Sequence, residues 1–585
     1  MFKSKSSILL NHIVIVTLIF LIGITGFTFT QPVSAAGEFP FEEITVEKLM
    51  AGYSEGEYTS EEVVQSYLNR IEKYEESYNA FTVLNPDALE EAREIDRLRE
   101  EGEELGPLAG VPIVMKEAVN MAGFPTTFGW APLSKEAGGI ELIPSEDATI
   151  VKRLIEAGAI IIGRTNIPAF SASGTHANTS WAGSTYNALD RNVAPGGSSS
   201  GTATSVSGNF AVLGIAEETG GSIQNPAAAQ ALVGIKPSFG LVPTTGVTPL
   251  AGSTRDVLGP HARTVEDAAR MLDVIAGYSE EDPKTEAAKG HVPDSYTNTL
   301  DDTALEGKRL GLYGPSWRTD EELTEETQEL YDQAIEELES QGAEVVTDPF
   351  EGSEFAEFVE EEGNIGYEAF FYDLDNYLEN LDPSDDSLSV DSVFEEVGEI
   401  PWTEDGPLSW LRDRMDIEKG LEDPDVEPDL TNFEEVKSEY LRIIESVMEE
   451  HDLDGFVYPQ MSKVTPSLGE EDIGATTVSE INISGLPLIT IPAGYYDNGS
   501  PFAIAMFGKT WSEADLIGMA YDYEQATDHR ESPELVVAPI TETEDGGELP
   551  NTAKNYSVYM LIGMLITLAG LVVYVRFRNH TKKTQ

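Results

Sequence analysis

The sequence predicts an α/β fold: a mixed β-sheet core covered by helices on both faces, with a helical acidic insertion. Three observations carry that expectation. Short apolar runs of strand length (Val111–Met115, Ala159–Gly163, Leu213–Ala216, Leu310–Tyr313) alternate with longer segments of helical periodicity, the pattern of a sheet with helices packed on it. The chain has 585 residues, 41% of them hydrophobic, which suits a large folded core. One long segment, Asp348–Asp429, breaks the alternation: it is rich in Asp and Glu yet holds Phe350, Phe355, Phe358, Tyr367, Phe370, Phe371, Tyr372, Tyr377, Trp402 and Trp410.

Taken in order, residues 1–35 read as a signal peptide. Lys3 and Lys5 precede the apolar run Ile13–Phe29, and the small residues Ser34, Ala35 and Ala36 fit a cleavage site. An uncleaved N-terminal anchor is the alternative. The folded domain is placed at 38–537. Ile44–Tyr74 predicts two helices, the second starting at Thr59-Ser60-Glu61-Glu62 with Val63, Val64, Tyr67, Leu68 and Ile71 at helical spacing. Pro86–Glu101 predicts a third, charged helix. Phe210–Ala216 reads as a buried strand, and the small residues from Gly201 to Gly208 would let a helix sit close to the sheet. Tyr278–Thr303 reads as a polar surface excursion, and Glu321–Gln341 as a helix with Leu330, Ile335 and Leu338 inward. Residues 348–429 read as a helical subdomain or as a lid whose aromatics shape a pocket. Phe456–Pro459, Pro487–Pro492 and Ala503–Phe507 are late strand candidates. Residues 538–548 are a solvated linker.

The far end carries three features in series. Leu549-Pro550-Asn551-Thr552-Ala553 is followed by an uncharged apolar stretch at 556–575, long enough to span a bilayer, and by a basic tail at 576–585 that holds Arg576, Arg578, Lys582 and Lys583. A retained membrane anchor is one reading. The other is that the series resembles a sortase sorting signal of the LPxT type, with Ala553 where Gly is usual. On that reading Thr552 is joined to the peptidoglycan of a Gram-positive cell wall, and the partners are sortase, peptidoglycan and, before sorting, the membrane.

The formal net charge is −68, from 36 basic and 104 acidic residues. Loss of the leader and of the residues after Thr552 would remove basic residues only. Such a surface repels nucleic acid and anionic lipid. It suits a saline or alkaline habitat, because salt shortens the range of self-repulsion; ordinary wall acidity is the other explanation. The chain has no cysteine, which excludes disulfides, a cysteine nucleophile and a thiolate metal site.

The chemistry is concentrated in Pro195–Ala227. Two glycine-serine clusters, Gly196–Gly201 and Gly220-Gly221-Ser222, bracket the apolar run. A serine behind two glycines can sit in a tight turn whose backbone N–H groups stabilise an oxyanion, although such a sequence also suits a plain flexible loop. The paired clusters resemble the amidase signature family of serine hydrolases. Its GGSS loop is matched at Gly196–Ser199, and its acidic-x-GGSI-x-x-PA stretch at Glu218–Ala227. Ser198 and Ser222 have the family's spacing of 24 residues. The family's upstream lysine is matched at Lys116, in Gly110-Val111-Pro112-Ile113-Val114-Met115-Lys116-Glu117. The likeness runs from about Phe41 to Pro533 through Asp147–Phe170, Gly234–Ser238, Leu258–Thr264, Asn482–Gly494 and Glu513–Pro533. Glu117, Ser200, Glu218 and Gln224 depart from the usual Asp, Gly, Asp and Arg, and the last puts carboxylate recognition by that position in doubt.

The resemblance implies an amidase signature fold and hydrolysis of small-molecule or peptide amides through an acyl-serine intermediate, without cofactor or metal. Ser222 would be the nucleophile. Ser198, on a cis peptide after Gly197, would relay its proton to Lys116. Backbone N–H groups of Thr219, Gly220, Gly221 and Ser222 would form the oxyanion hole. Glu218 would orient the Ser222 turn, or only accept backbone hydrogen bonds. Lys116 must be uncharged to act as base, so activity is expected to rise toward alkaline pH. None of His176, His261, His291, His451 and His529 lies in a nucleophile elbow or at metal-ligand spacing. Ammonia transfer to charged tRNA, known in some relatives, fits poorly with export and an acidic surface. A non-catalytic wall protein reusing the fold is the alternative, and the presence of Ser222, Ser198 and Lys116 together argues against it. If the sorting signal acts, Thr552→Ala will deplete the protein from the enzymatically solubilised wall fraction on immunoblots; an unchanged wall fraction would exclude attachment through Thr552.

Overall fold

Runs of Val, Ile, Leu and small residues build the centre of the molecule. The computed structural model describes residues 39–318, 322–385 and 387–537. Phe39–Glu42 belong to a small N-terminal unit, where Phe39 and Phe41 meet edge to face at 6.0 Å. The elements that follow, in chain order, are α1 (Val46–Glu55), α2 (Ser60–Tyr78), β1 (Phe81–Leu84), α3 (Ala88–Glu101), β2 (Pro112–Lys116), α4 (Thr149–Glu156), β3 (Ile160–Thr165), α5 (Ser200–Ser207) and β4 (Leu213–Glu218). Then come α6 (Gln224–Ala229), β5 (Val233–Lys236), β6 (Val257–Ala262), α7 (Val265–Ile275), β7 (Arg309–Leu312), α8 (Glu325–Ser340) and β8 (Glu344–Thr347). The chain continues through α9 (Phe355–Glu362), α10 (Phe370–Glu379), α11 (Val390–Val397), α12 (Ile417–Glu422) and α13 (Thr431–His451). It closes with β9 (Gly455–Pro459), α14 (Ser479–Ser484), β10 (Leu488–Tyr495), β11 (Pro501–Phe507) and α15 (Glu513–Thr527).

The eleven strands form one sheet in the order β1-β3-β2-β4-β6-β5-β10-β11-β9-β7-β8. The sheet is mixed: β2 runs parallel to β3 and β4, and β7 parallel to β8 and β9, while β4/β6, β5/β6, β5/β10, β10/β11 and β9/β11 are antiparallel. Successive side chains of a strand point to opposite faces. Every residue of β2, β3, β4, β5, β6, β9 and β11 is buried, so both faces of the central sheet are covered. Near-continuous apolar runs are what such doubly covered strands require.

Local chemistry explains the ends of several helices. Thr59 caps α2 in a capping box with Glu62, and Thr264 accepts from Asp267 N at the start of α7. The small residues of α5 permit a close approach. A Cβ on Gly201 would lie 2.3 Å from Ala80 O, and one on Gly214 of β4 would lie 2.5 Å from Thr202 Cγ2. Helix α5 therefore presses directly on the strand that leads to Ser222.

Several expectations need correction. The buried run at 210–216 becomes strand only at Leu213 and extends to Glu218. Helix α8 buries Thr327, Tyr331, Ala334 and Leu338, while Leu330 and Ile335 are only partly covered. The segment Tyr278–Thr303 is more than a surface excursion: Thr285, Ala288 and Tyr296 are buried, and Tyr296 N donates to Asp273 of α7 at 2.5 Å. Strands β1, β5, β6 and β8 are too short or too interrupted by Gly and Pro to stand out in the sequence. The aromatics of residues 348–429 divide between two cores. Phe350 and Phe355 join Trp317, Tyr440, Phe456 and Phe507, whereas Tyr367, Phe370, Phe371, Phe394 and Trp402 join Phe128, Trp130 and Phe170.

The pairing of β5 with β6 leaves no room beside Gly259, where a Cβ would lie 1.9 Å from Ile235 O. Backbone on the far side cannot yield as a side-chain tip would. Gly259→Ala is expected to destabilise the fold by about 1–3 kcal/mol or more, read as a lower urea midpoint. An unchanged midpoint would contradict the packing described.

Candidate active site

Strand β2 delivers Lys116 at its last position. Parallel register sets Met115 level with Ile215, so Lys116 arrives beside the end of β4. Its side chain is fully buried, and Nζ donates to Ser198 Oγ at 2.7 Å, Glu217 O at 2.9 Å and Glu217 Oε2 at 2.6 Å. The next residue, Glu117, accepts from Thr127 N at 2.6 Å. The Arg164 guanidinium donates to the carbonyls of Pro125 and Glu117, fixing the chain as it leaves the sheet. Burial pushes the Glu117 carboxyl upward against the pull of Arg164.

Ser198 stands in the loop that enters α5, and the Gly197–Ser198 peptide is cis. Both preceding glycines are required by contact. A Cβ on Gly196 would lie 2.4 Å from Pro226 Cα, and one on Gly197 would lie 2.5 Å from Ser173 O. Ser199 Oγ donates to Glu217 O at 3.1 Å, and Ser200 Oγ to Gly196 O at 2.5 Å. The serine-rich loop is thus tied to β4 through Ser199 and packs at Gly196 against Pro226 of α6.

Ser222 occupies the turn from β4 to α6, with Gly221 at φ 92°. Glu218 holds that turn: Oε2 accepts from Ile223 N at 2.7 Å and Gln224 N at 3.2 Å, and Oε1 accepts from Gln224 Nε2 at 2.6 Å. On the opposite side the His261 ring donates from Nε2 to Ile223 O at 2.8 Å. Burial pushes His261 down to about 4, so the ring is neutral near neutral pH. Beneath the turn the Thr219 hydroxyl lies 2.6 Å from Asp256 Oδ1 and 3.2 Å from Glu217 Oε1. Asp256 in turn accepts from Leu250 N and Ala251 N. Burial raises the Glu217 carboxyl, with Lys116 pulling it down and Asp256 pushing it up.

The structure therefore hydrogen-bonds Lys116 to Ser198, sets Gly197 where only glycine fits, and carries Thr219, Gly220, Gly221 and Ser222 in one turn braced by Glu218. Thr552, the leader 1–35, the linker 538–548, the motif 549–553, the apolar stretch 556–575 and the tail 576–585 lie outside the described residues. Among the described residues no helix is long and apolar enough to cross a membrane. Sequence reasoning missed Glu217 and Asp256, whereas His261, expected to have no nucleophile or metal role, is a buried brace of the turn. The available signal for Glu217 was a pair of adjacent glutamates ending an apolar strand, since buried carboxylates need partners.

The mixed sheet and the matched family together define an amide-hydrolysing enzyme. The chain belongs to the amidase signature family: the family's profile, described as Amidase, matches residues 62–517. Residues 541–582 match the LPXTG cell wall anchor motif, which marks this as a surface enzyme anchored at the cell wall. The chain is 30% identical over 528 residues to a probable amidase of Arabidopsis thaliana, covering 85% of this chain and 93% of that one. It is 30% identical over 491 residues to one component of the glutamyl-tRNA(Gln) amidotransferase of Acaryochloris marina, covering 82% and 97% of the two chains. The crystal structure of the peptide amidase of Stenotrophomonas maltophilia superposes with a TM-score of 0.69 at 32% identity, covering 86% of this chain and all of that one.

The buried neutral His261 gives a pH prediction. Its folded value, about 4, lies below the ordinary 6.5, so its contribution to stability is complete above about pH 6.5 and is lost as pH falls toward 4. His261→Gln keeps a donor for Ile223 O but cannot be charged. The stability of the wild type relative to this variant should fall by about 3 kcal/mol between neutral pH and pH 4 in denaturant titrations. A pH-independent difference would show that the ring titrates normally.

Proposed function

We propose that this protein is an exported amidase that hydrolyses carboxylic amides, peptide amides among them, through an acyl-Ser222 intermediate. Ser222 Oγ attacks the amide carbon while its proton moves to Ser198, whose own proton passes to the Lys116 amine. The tetrahedral oxyanion faces the backbone N–H groups of Thr219, Gly220, Gly221 and Ser222. Loss of one such donor typically costs about 3–4 kcal/mol of transition-state stabilisation. Collapse breaks the C–N bond, and the departing nitrogen takes its proton back through Ser198. Water then attacks the acyl ester by the same relay, releasing the acid and restoring Ser222.

The observation that carries this reading is the 2.7 Å hydrogen bond between fully buried Lys116 and Ser198. Likeness to a peptide amidase supports peptide amides as substrates. Part of the segment 348–429 packs on the loop that follows Lys116: Tyr377 OH donates to Asn120 Oδ1 at 2.7 Å, and its ring meets Phe128 at 5.7 Å. Residues 1–35 direct export, the stretch 556–575 holds the chain in the membrane, and sortase then links Thr552 to peptidoglycan.

The test is ammonia release from a panel of aliphatic, aromatic and peptide amides. Ser222→Ala and Lys116→Ala should each lower kcat by about a thousandfold or more, as expected when a nucleophile or its base is removed. Ser222→Ala should also abolish fluorophosphonate labelling. Wild-type turnover in either variant would exclude the proposed roles.

A further inference from the structure

The relay leaves one charged neighbour of Lys116 without a task. Glu217 contacts Nζ twice, through its carboxylate at 2.6 Å and its own carbonyl at 2.9 Å, and the side chains of both residues are almost wholly buried. Counting protons shows what this does. As an ammonium, Nζ has three N–H bonds for three oxygens: the carboxylate and the carbonyl of Glu217, and the hydroxyl of Ser198. As a neutral amine it has two N–H bonds and one lone pair. A carbonyl and a carboxylate carry no proton to offer that lone pair. Ser198 Oγ does. With both N–H bonds held by Glu217, the lone pair falls to Ser198.

We propose that Glu217 is a positioning residue of the hydrolysis, which aims the Lys116 lone pair at Ser198 and, as counter-charge, sets how alkaline the solution must be before the lysine is free to act. The inference rests on the proposed role of Lys116 as base. The other titratable groups around the pair fit it. His261, on β6, is neutral near neutral pH. Asp256 faces Glu217 through Thr219, at 2.6 Å and 3.2 Å from that hydroxyl. Glu218 turns to the α6 backbone instead, and Glu117 to Thr127. Lys116 is therefore the cation that balances Glu217. An opposite charge at contact favours the charged form of each partner.

Two variants of the full chain separate aim from charge. Glu217→Gln removes the counter-charge but keeps an acceptor oxygen. The acid limb of its kcat/KM profile should move to lower pH by about one unit or more, with plateau kcat within about tenfold of wild type. A merely structural role would lower kcat at every pH and leave the limb in place. An unmoved limb, or one moved to higher pH, overturns the inference. Glu217→Asp keeps the charge, so it remains informative if the neutral variant does not fold. Its shorter reach should lower the plateau kcat about tenfold while the limb stays; a wild-type plateau overturns the positioning role. Lys116→Ala is measured alongside. If it stays active, the base assignment itself has failed, which distinguishes that outcome from failure of the role given to Glu217.

Discussion

The site depends on a single constraint: a lysine with no exposure to solvent must keep its nitrogen fully engaged. A buried ammonium without partners would be strongly unfavourable, and removing one member of a buried pair typically costs about 3–5 kcal/mol. The end of β4 answers that demand with the carboxylate and carbonyl of Glu217, and the Ser198 loop supplies the third contact. The pair adds little net stability, since desolvation offsets most of its attraction. What it provides is a fixed position. Ser199 reaches the same carbonyl of Glu217, so the lysine, the serine loop and the strand end are locked through one peptide group.

Glycine then decides how near the two serine-bearing segments can come. Gly196 and Gly197 lie against Pro226 and Ser173 at distances that exclude any side chain. Glu218 and His261 grip the start of α6 from opposite sides. The turn that holds Ser222 is therefore braced by a carboxylate accepting N–H groups and a ring donating to a carbonyl. The two adjacent glutamates serve different neighbours: Glu217 meets Lys116, and Glu218 meets the turn that holds Ser222.

The sequence made the centre of this arrangement legible and left its margins obscure. Val111–Met115 and Ala159–Gly163 announce themselves as buried strands, and the resemblance named Lys116, Ser198 and Ser222, of which the structure joins Lys116 to Ser198. The helix ends were legible where the chemistry is local, as at Thr59 and Glu62. Strands β5 and β6 were not, because Gly234, Pro237, Gly259 and Pro260 interrupt their hydrophobic pattern, and their pairing is decided by residues far along the chain. Glu217 was missed for the same reason. Its partner lies 101 residues away, and nothing local separates it from Glu218. The aromatics of residues 348–429 showed that a core existed there, but not that they divide between two cores.

The strand order has a consequence for how the molecule is assembled. The first six strands end at β5, whose free side is completed only by β10, and Lys236 there reaches Leu486, 250 residues along the chain. Until that late segment arrives, the half-sheet that carries the serine turn presents an open edge, a ready template for pairing with other chains. Closing so long a loop is slow compared with forming local contacts. A net charge of −68 keeps like chains apart during that interval. The acidic composition thus opposes self-association of the half-built sheet, and because salt screens the repulsion, that effect weakens as ionic strength rises.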